Sequence, residues 1–463
     1  MQPEDMMMSG WYREHTSAVR ERTSHALDRL AVDKQVADRV PGLAAGVHRG
    51  GRLVWFAGVG SADLDHPEKA PCADTQFDIA SITKTFVAVT VMALRDAGKL
   101  SLDDPLERHI PQSRHGGVTV RQALAHVSGM QREPVGDVWD TLRFPDREEL
   151  LRGWNAAERV GRPHQLHHYS NLCFGLLGEL IARVEKQDWD AVVRRRVLDP
   201  LGLHATSLGR IGGLPQAGRY YLPPWTDVPV TEPAVDLLAF APAGGFASTA
   251  RDLGLWGGFL ASPTDEVLAP DTLEEMCQPI VTAAPDWSLA WGLGLMLLRH
   301  DGRVWVGHTG GFPGTISGCF THRESGTTGV VLMNQSTATA PGTFAAGLGS
   351  YVLEHDPELP PVWRPGITTP AELEPLLGQW FSEGSEFTFS VREGRLEARL
   401  RSAPATTAPS LFEAIGPDLY RTTAGRERGE LLRIRRDESG AVTAMNWATY
   451  LFTRRPFAFG EWL

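Results

Sequence analysis

A proline-rich stretch that separates two different patterns of apolar residues most constrains how this chain can fold. The sequence HDPELPPVWRPGITTP, residues 355–370, contains five prolines in sixteen residues. Proline lacks a backbone N–H and fixes its own φ angle, so this stretch indicates a linker and not a helix or a central strand. The sequence therefore predicts a first domain over residues 1–355, a linker over 356–370 and a second domain over 371–463.

Before the linker, β-rich runs lie at both ends of a region in which helical patterns dominate. Residues 12–40 are predicted to form a surface helix, and the β-rich runs around Gly50-Gly51 are predicted to form a hairpin. Residues 118 to 300 are predicted to be mostly helical, and a second hairpin is predicted at 315–334. Because distant strands can pair in one sheet, the predicted fold class is α+β, with an antiparallel sheet flanked by helices.

After the linker, apolar and polar residues alternate with a period of two. The segment EFTFSVR places Phe387, Phe389 and Val391 on one face, and RLEARLR repeats the pattern after a short turn. The alternation continues to about residue 454. It predicts a small antiparallel β-barrel.

Charge and composition exclude several classes of function. The chain carries a formal net charge of −11, which argues against binding to nucleic acid because phosphate groups require a basic surface. The N-terminus lacks the apolar core of a signal peptide, and no apolar run is long enough to span a membrane. The four cysteines are far apart in the sequence and form no CxxC spacing, which is typical of free thiols in a reducing compartment. We therefore expect a cytoplasmic protein without a membrane span.

The segment FDIASITKTF places Ser81 three residues before Lys84, at the start of a predicted helix that ends at Gly98. The chain contains only five lysines. Residues three apart share one face of a helix, and a lysine with a lowered pKa can accept a proton where an arginine cannot. The helix N-terminus also favours negative charge. The pair therefore predicts a serine nucleophile with an adjacent base, although an N-capping serine beside a surface lysine has the same spacing.

Two further motifs follow Ser81-x-x-Lys84 in the chain. HHYSNL contains Tyr169-x-Asn171, and GHTGGFPG contains His308-Thr309-Gly310 at the edge of a predicted strand. In this order and with this wide spacing, the three motifs resemble those of the serine β-lactamase and penicillin-binding-protein superfamily, and within it the class C-like branch. The resemblance covers roughly residues 35–350. The segment after residue 370 is similar to the lipocalin-like barrel appended to many such hydrolases.

The resemblance implies a role for each motif residue. Ser81 is expected to attack the substrate carbonyl and to carry the acyl group. Lys84 is expected to be the neutral amine beside it, and Tyr169, as phenol or tyrosinate, to pass protons to and from the reacting groups. Whether Lys84 or Tyr169 is the acylation base stays open. Asn171 is expected to hydrogen-bond the substrate amide and Lys84.

The third motif is expected to complete the substrate site through Thr309, Gly310 and Gly311. By resemblance, the backbone amides of Ser81 and Gly311 form the oxyanion hole. His308 replaces the lysine that many relatives carry there. Histidine is mostly neutral at pH 7, and a charged Lys84 nearby would favour the neutral form further, so we expect weak recognition of substrate carboxylates and poor turnover of β-lactams. A neutral His308 is also expected to act in catalysis, as a proton relay with Tyr169.

A metal site is the alternative that the histidine-rich HQLHHYSN segment raises. It contains His164, His167 and His168, but it lacks the HExxH spacing and an obvious third ligand, and it leads directly into the tyrosine motif. We therefore expect no metal and no cofactor.

Three functions remain in view from the sequence. The first is a serine hydrolase that forms an acyl-enzyme from a small-molecule or peptidyl ester or amide. The resemblance implies that peptides with D-residues are plausible substrates. The second is a penicillin-binding-protein-type thioesterase that macrocyclises a nonribosomal peptide thioester. The third is a non-catalytic binding relative, which the intact catalytic motifs disfavour.

Overall fold

The computed structural model describes residues 11–13, 18–113, 115–359, 362–366 and 368–458. The chain divides into two compact units, Met1–Glu358 and Leu359–Leu463. Three residues of the predicted linker, at positions 360, 361 and 367, lie outside the described part of the chain.

Eleven α-helices occur within the described residues, all in the first unit. They are α1 (Glu21–Asp38), α2 (Thr83–Asp96), α3 (Leu106–His109), α4 (Val120–Leu124), α5 (Val138–Thr141), α6 (Arg147–Ala156), α7 (Asn171–Glu185), α8 (Trp189–Val193), α9 (Ala250–Ala261), α10 (Pro270–Met276) and α11 (Pro341–His355). Short 3₁₀ or π turns lie at Ala80–Ile82, Arg194–Leu198, Leu238–Ala243, Arg323–Ser325 and Glu374–Leu376.

Fourteen of the described strands belong to the first unit. They are β1 (Trp11–Arg13), β2 (Gly42–Arg49), β3 (Arg52–Gly60), β4 (Phe77–Asp78), β5 (Ser207–Leu208), β6 (Tyr220–Tyr221), β7 (Val230–Thr231), β8 (Phe246–Ser248), β9 (Val281–Thr282), β10 (Leu289–Trp291), β11 (Met296–His300), β12 (Arg303–Phe312), β13 (Thr315–His322) and β14 (Thr327–Met333).

Eight further strands form the second unit. They are β15 (Gly378–Ser382), β16 (Ser385–Arg392), β17 (Arg395–Leu400), β18 (Ser410–Gly416), β19 (Leu419–Ala424), β20 (Leu431–Arg436), β21 (Val442–Trp447) and β22 (Tyr450–Phe452).

Strands from both ends of the first unit join in one nine-stranded antiparallel sheet. Its order is β1-β3-β2-β14-β13-β12-β11-β10-β9. Both predicted hairpins are confirmed, as β2–β3 with positive φ angles at Gly50 and Gly51, and as β13–β14. The pairing of β14 with β2 brings distant parts of the chain together, so only β14 and β13 separate the third motif on β12 from the first hairpin.

Two apolar cores cover the two faces of this sheet. On β2, Leu43, Ala45 and Val47 face one core, which α1 and α11 complete. Ala44 lies in the other core, which holds the apolar side chains of α2, α7 and α9. Successive side chains of a strand point to opposite faces, so the buried run of β2 serves both layers. The α+β fold with a helical region on one side is therefore confirmed.

The structure corrects three details of the predicted elements. The first helix spans Glu21–Asp38 and not residues 12–40, of which 14–17 lie outside the described residues. The segment 118–300 is not mostly helical, because loops and the short strands β5 to β11 occupy more of it than the helices do, and β9, β10 and β11 extend the main sheet at its end. The helix predicted from Ser81 begins as an α-helix at Thr83, after a 3₁₀ turn that contains Ser81.

The end of α2 lies where the sequence indicated it. Gly98 has φ +68°, its N–H donates to the carbonyl of Arg95, and the N–H of Lys99 donates to that of Leu94. This pair of bonds is a Schellman motif, which a left-handed glycine allows because it has no Cβ.

The second unit is an eight-stranded antiparallel sheet that curls into a nearly closed barrel. Its strands pair in sequence order from β15 to β22, and Phe381 and Thr453 exchange backbone hydrogen bonds across the closing edge. Phe387 and Phe389 belong to its buried core, as the period-two pattern predicts, and Trp380 and Trp447 complete that core. The barrel fold is confirmed. No helix among the described residues is long and apolar enough to cross a membrane.

A buried ion pair anchors the strand that leads into the Ser81 turn. Asp78 on β4 contacts Arg210 at 2.8 Å and Arg219 at 2.6 Å. Burial alone would raise the pKa of Asp78, but the two arginines lower it overall from its usual value of 3.8. The GRIGG segment, residues 209–213, thus anchors this strand through the contact of Arg210 with Asp78.

We expect Asp78→Asn to lower the free energy of unfolding by about 2 kcal/mol at pH 7, because it leaves two partly buried guanidinium groups uncompensated. The carboxylate stabilises the fold above its ordinary pKa, and this stabilisation is lost as pH falls through the lowered folded pKa. Urea unfolding at pH 7 and at pH 3 measures both effects. Arg152→Ala, which breaks an exposed pair with Glu148, should change stability by less than about 0.5 kcal/mol. Equal effects of the two variants would contradict the anchoring role.

Candidate functional site

The turn that carries Ser81 has an unusual backbone conformation. Ala80 has φ +46°, a left-handed value that L-residues other than asparagine and aspartate seldom adopt. Ser81 follows in the 3₁₀ turn, and Lys84 lies in the first turn of α2. The Lys84 Nζ and Ser81 Oγ atoms are 2.9 Å apart, so the two side chains that the sequence paired do meet.

Lys84 is completely buried, and this decides its charge. Burial lowers the pKa of Lys84 well below its usual value of 10.5. The carboxylate of Glu133 opposes this shift in part, and the Arg132 guanidinium adds to it. Nζ also donates a hydrogen bond to the carbonyl of Ala243. A neutral amine held in this way has a lone pair available for the Ser81 hydroxyl proton.

Tyr169 lies on the other side of this pair. Its ring centroid is 5.1 Å from Lys84 Nζ, and its hydroxyl lies close enough to Ser81 for that side chain to influence the pKa of Tyr169. Burial raises the pKa of Tyr169 above its usual value of 10.0, and the Ser81 hydroxyl opposes only part of that shift. The raised pKa favours the phenol form of Tyr169 over the tyrosinate.

His308 lies on β12, buried at 2% exposure, with its ring 6.2 Å from that of Tyr169. Its Nδ1 contacts the carbonyl oxygen of Thr309, which can only accept, so Nδ1 carries the proton and donates. Burial lowers the pKa of His308 to about 3, and nearby Lys84 adds to this effect. The ring is therefore neutral at pH 7, and its Nε2 has no hydrogen-bond partner among the described residues.

Asn171 has a different partner from the one expected. Its Nδ2 donates to Glu133 Oε1 at 2.7 Å, and its Oδ1 is buried without a partner in the described part of the chain. The predicted hydrogen bond to Lys84 is absent from the bonds that Lys84 makes in this structure, which go to Ser81 and Ala243. Asn171 Oδ1 is left as an acceptor beside the site.

Glu133 is a site residue that the sequence analysis missed. Its Oε1 accepts from Asn171 and, at 3.3 Å, from Arg132 Nε. Its Oε2 is buried and has no partner within the described residues. No motif surrounds Glu133, and the proximity to Asn171 arises because the backbone amide of Asn171 donates to the carbonyl of Arg132. A buried carboxylate oxygen without a donor is a binding group for a cation or an N–H.

The third motif approaches Ser81 closely because its glycines have no side chains. A Cβ on Gly310 would lie 2.2 Å from the carbonyl oxygen of Ile79, two residues before the serine. Gly311 and Ser81 line a small cavity of about 30 Å³. The apolar part of its wall consists of Ala80, Trp139, Leu237, Phe240, Ala243 and Phe312.

Thr309 has its side chain on the opposite face of the sheet. Its Oγ1 donates to Met296 Sδ at 3.8 Å, and its methyl group lies near Gly342 on α11. Strand alternation requires this, because His308 faces the site. Only the backbone of Thr309 therefore faces the side of the sheet on which Ser81 lies.

The histidine-rich segment before Tyr169 does not assemble a metal site. His167 stacks on Trp291, and His164 contacts Gln122 at the surface. Within the described residues, no group of three or more His, Cys, Asp or Glu side chains could hold a metal ion.

Comparison with known proteins assigns a family to this fold and site. The family model described as Beta-lactamase matches residues 27–351, well over half of the chain. The chain belongs to the beta-lactamase family. A second model, described as a domain of unknown function, matches residues 369–454, which contain the barrel.

Individual members of the family resemble the chain at moderate identity. Beta-lactamase-like protein 2 of Dictyostelium discoideum is 29% identical over 240 residues, which cover 49% of this chain and 44% of that protein. The chain spans about half the length of the curated relatives it matches.

Solved structures extend the likeness over more of the chain. The octameric penicillin-binding protein homologue from Pyrococcus abyssi has a TM-score of 0.64 at 21% identity, over 93% of this chain and 99% of that one. The D-amino acid amidase from Ochrobactrum anthropi SV3 has a TM-score of 0.61 at 25% identity, over 72% of this chain and 98% of that one. The first shows a shared fold, and the second is a similar protein that is named for an enzymatic activity.

We expect Lys84→Arg to slow the labelling of Ser81 by a fluorophosphonate by about 10²- to 10⁴-fold, because arginine stays protonated and cannot act as a base. In the unaltered protein the labelling rate should rise with pH through the lowered pKa of Lys84 and vanish below it, since only the neutral amine accepts a proton. Gel fluorescence after a timed reaction measures both. Lys99→Arg, at an exposed ion pair with Glu185, is the matched control and should label normally. Rapid labelling of Lys84→Arg would exclude Lys84 as the base.

Proposed function

We propose that the protein is a serine hydrolase that cleaves an amide or ester through an acyl-enzyme on Ser81. The observation that carries this proposal is the 2.9 Å contact between Ser81 Oγ and the buried Nζ of Lys84. A lysine of this kind is a costly choice for structure alone, because removing an ammonium group from water is unfavourable. Its loss of charge beside a serine hydroxyl is what activation of a nucleophile requires.

The reaction then proceeds in two acyl transfers. Ser81 Oγ attacks the substrate carbonyl carbon, its proton passes to Lys84 Nζ, and the oxyanion accepts bonds from the backbone N–H groups of Ser81 and Gly311. The bond to the leaving group breaks as that group takes a proton through Tyr169. Water then attacks the acyl-serine ester, gives up a proton along the same route, and releases the acid and Ser81.

The substrate class that we propose carries a free amine near the scissile carbonyl. Glu133 Oε2 is a buried carboxylate oxygen without a partner in the described residues, and its charge acts on Lys84, so it lies near the reacting atoms. An ammonium group would pair with it, and Asn171 Oδ1 supplies a second acceptor. The similarity to a D-amino acid amidase supports an amino-acid amide with D configuration.

We expect the protein to hydrolyse D-alanine p-nitroanilide, and Ser81→Ala to abolish the activity. N-acetyl-D-alanine p-nitroanilide has the same leaving group but no ammonium, so it should be a poorer substrate. Glu133→Gln should raise KM for the free amine by about tenfold or more and leave KM for the acetylated compound within about threefold. Both substrates are tested on the same variant, so any change in the pKa of Lys84 cancels in the ratio of the two KM values.

Glu148→Gln, at an exposed glutamate on α6, is the control and should leave both substrates unaffected. An unchanged ratio in Glu133→Gln would remove Glu133 from substrate recognition. Turnover that persists in Ser81→Ala would overturn the acyl-enzyme itself.

A second candidate function is transfer of the acyl group to an amine in place of water, which would macrocyclise a peptidyl thioester. The specific observation that favours it is the same free oxygen of Glu133, which would hold the amine of an incoming nucleophile as readily as that of a substrate. A neutral His308 beside Tyr169 is compatible with deprotonation of such an amine. A peptidyl thioester with a free N-terminal amine distinguishes the two functions by mass spectrometry. A cyclic product supports transfer, and a linear acid supports hydrolysis.

A further inference from the structure

His126 makes three contacts to Tyr169 and its two neighbours in the chain, although it belongs to none of the three catalytic motifs. Its backbone carbonyl accepts from the N–H of His168 at 2.9 Å, and its ring Nδ1 accepts from the N–H of Ser170 at 3.1 Å. Its ring stacks on that of Tyr169 with centroids 4.3 Å apart and planes 27° apart. His126 therefore holds the residue on each side of the tyrosine and the tyrosine ring as well.

The hydrogen bond from Ser170 determines the tautomer of His126. A backbone N–H can only donate, so Nδ1 presents a lone pair and the proton is on Nε2. The ring is neutral, because burial lowers the pKa of His126 well below 6.5 and the nearby Lys84 adds to the effect. His126 Nε2–H is then a buried donor without a partner in the described part of the chain.

The backbone of His126 has an unfavourable conformation, and aromatic rings pack around its side chain. Its φ angle is +56°, a left-handed value that few non-glycine residues adopt. Trp291 packs edge-on at 4.7 Å and also contacts the Tyr169 and His308 rings, at 5.5 and 5.2 Å. The strained backbone and the unsatisfied donor are compatible with a requirement for this side chain at this place.

We propose that His126 is a positioning residue for proton transfer, which holds the Tyr169 phenol against Ser81 by bonding both neighbours of the tyrosine and stacking on its ring. The proposal rests on the proposed function, because it concerns the step in which the leaving group takes a proton through Tyr169. His126 touches no reacting atom in this arrangement. Its effect should therefore depend on how strongly a substrate needs that proton.

His126→Asn tests the proposal with little disturbance of the backbone. Asparagine tolerates a left-handed φ and offers a side-chain oxygen near the former Nδ1, but it cannot stack on Tyr169. Two substrates share a D-alanyl group. The anilide needs a proton on its leaving group, and the thiophenyl ester releases a thiolate that does not. We expect kcat to fall about 100-fold for the anilide and at most about 10-fold for the thioester, with KM values within about threefold.

His48→Asn is the matched control, since His48 is equally buried with both ring nitrogens unpartnered in the described residues, and it packs against Gly254 instead of Tyr169. It should destabilise the protein and leave the ratio of the two kcat values unchanged. Equal losses on both substrates in His126→Asn, or the same losses in His48→Asn, would overturn the positioning role.

A double-mutant cycle with Tyr169→Phe provides an independent check. If His126 acts through the tyrosine, His126→Asn should cost less than about threefold in thioester kcat once the phenol hydroxyl is absent. Additive losses would overturn the proposal. Should His126→Asn fail to fold, nitrogen-15 NMR of the unaltered protein with labelled histidine measures the tautomer of His126. A ring protonated on Nδ1 could not accept the hydrogen bond from Ser170 and would overturn the proposal.

Failure of the proposed function can be distinguished from failure of the positioning role of His126. If the unaltered protein cleaves neither D-alanyl substrate and Ser81 takes up no fluorophosphonate, the acyl-enzyme hypothesis is wrong, whatever His126 does. If Ser81 is labelled but neither substrate is cleaved, the labelling rate takes the place of kcat. For a diphenyl phosphonate, whose phenol leaving group takes a proton, this rate should then fall about 10-fold in His126→Asn and stay unchanged in His48→Asn.

Discussion

The removal of the Lys84 ammonium group from water is the constraint on which the site depends. An amine at the surface would stay charged at neutral pH and could not accept a proton from a serine. The fold buries Lys84 beneath Tyr169, Phe174 and the carbonyl of Ala243, and these come from separate parts of the chain. The helical region packs against the sheet so that the lysine is enclosed, and the chemistry of Ser81 follows from that enclosure.

The same enclosure sets the charges of the neighbouring groups. Both His126 and His308 are neutral because burial lowers their pKa values, and a protonated Lys84 would lower them further. Tyr169 keeps its proton for a related reason, since a buried phenolate is also unfavourable. The site thus combines neutral donors and acceptors with one ion pair, Glu133 and Arg132, at its edge. Arg132 also lies over the Tyr169 ring, 4.8 Å from its centroid.

Much of this could be predicted from local sequence, and the rest could not, for physical reasons. The turn at Gly50-Gly51 and the helix end at Gly98 depend on backbone angles that glycine permits, so they follow from the residues themselves. The short strands β9 to β11 have no alternation long enough to predict, and they form because the sheet edge offers partners. Glu133 gains its place only through packing against Asn171, which no spacing in the sequence encodes.

The contact between Gly310 and Ile79 has a wider consequence. Here the strand comes close to the nucleophile's turn because Gly310 has no side chain, and Ser317 on the neighbouring strand β13 donates a hydrogen bond to the same carbonyl oxygen of Ile79 at 3.0 Å. Gly310 has no rotamers, so side-chain motion at that position cannot widen this gap. Only displacement of β12 as a body would do so, and β12 is hydrogen-bonded on both sides within the sheet. Rigidity at the reacting centre is therefore a collective property of the sheet, and it is shared among residues that never touch a substrate.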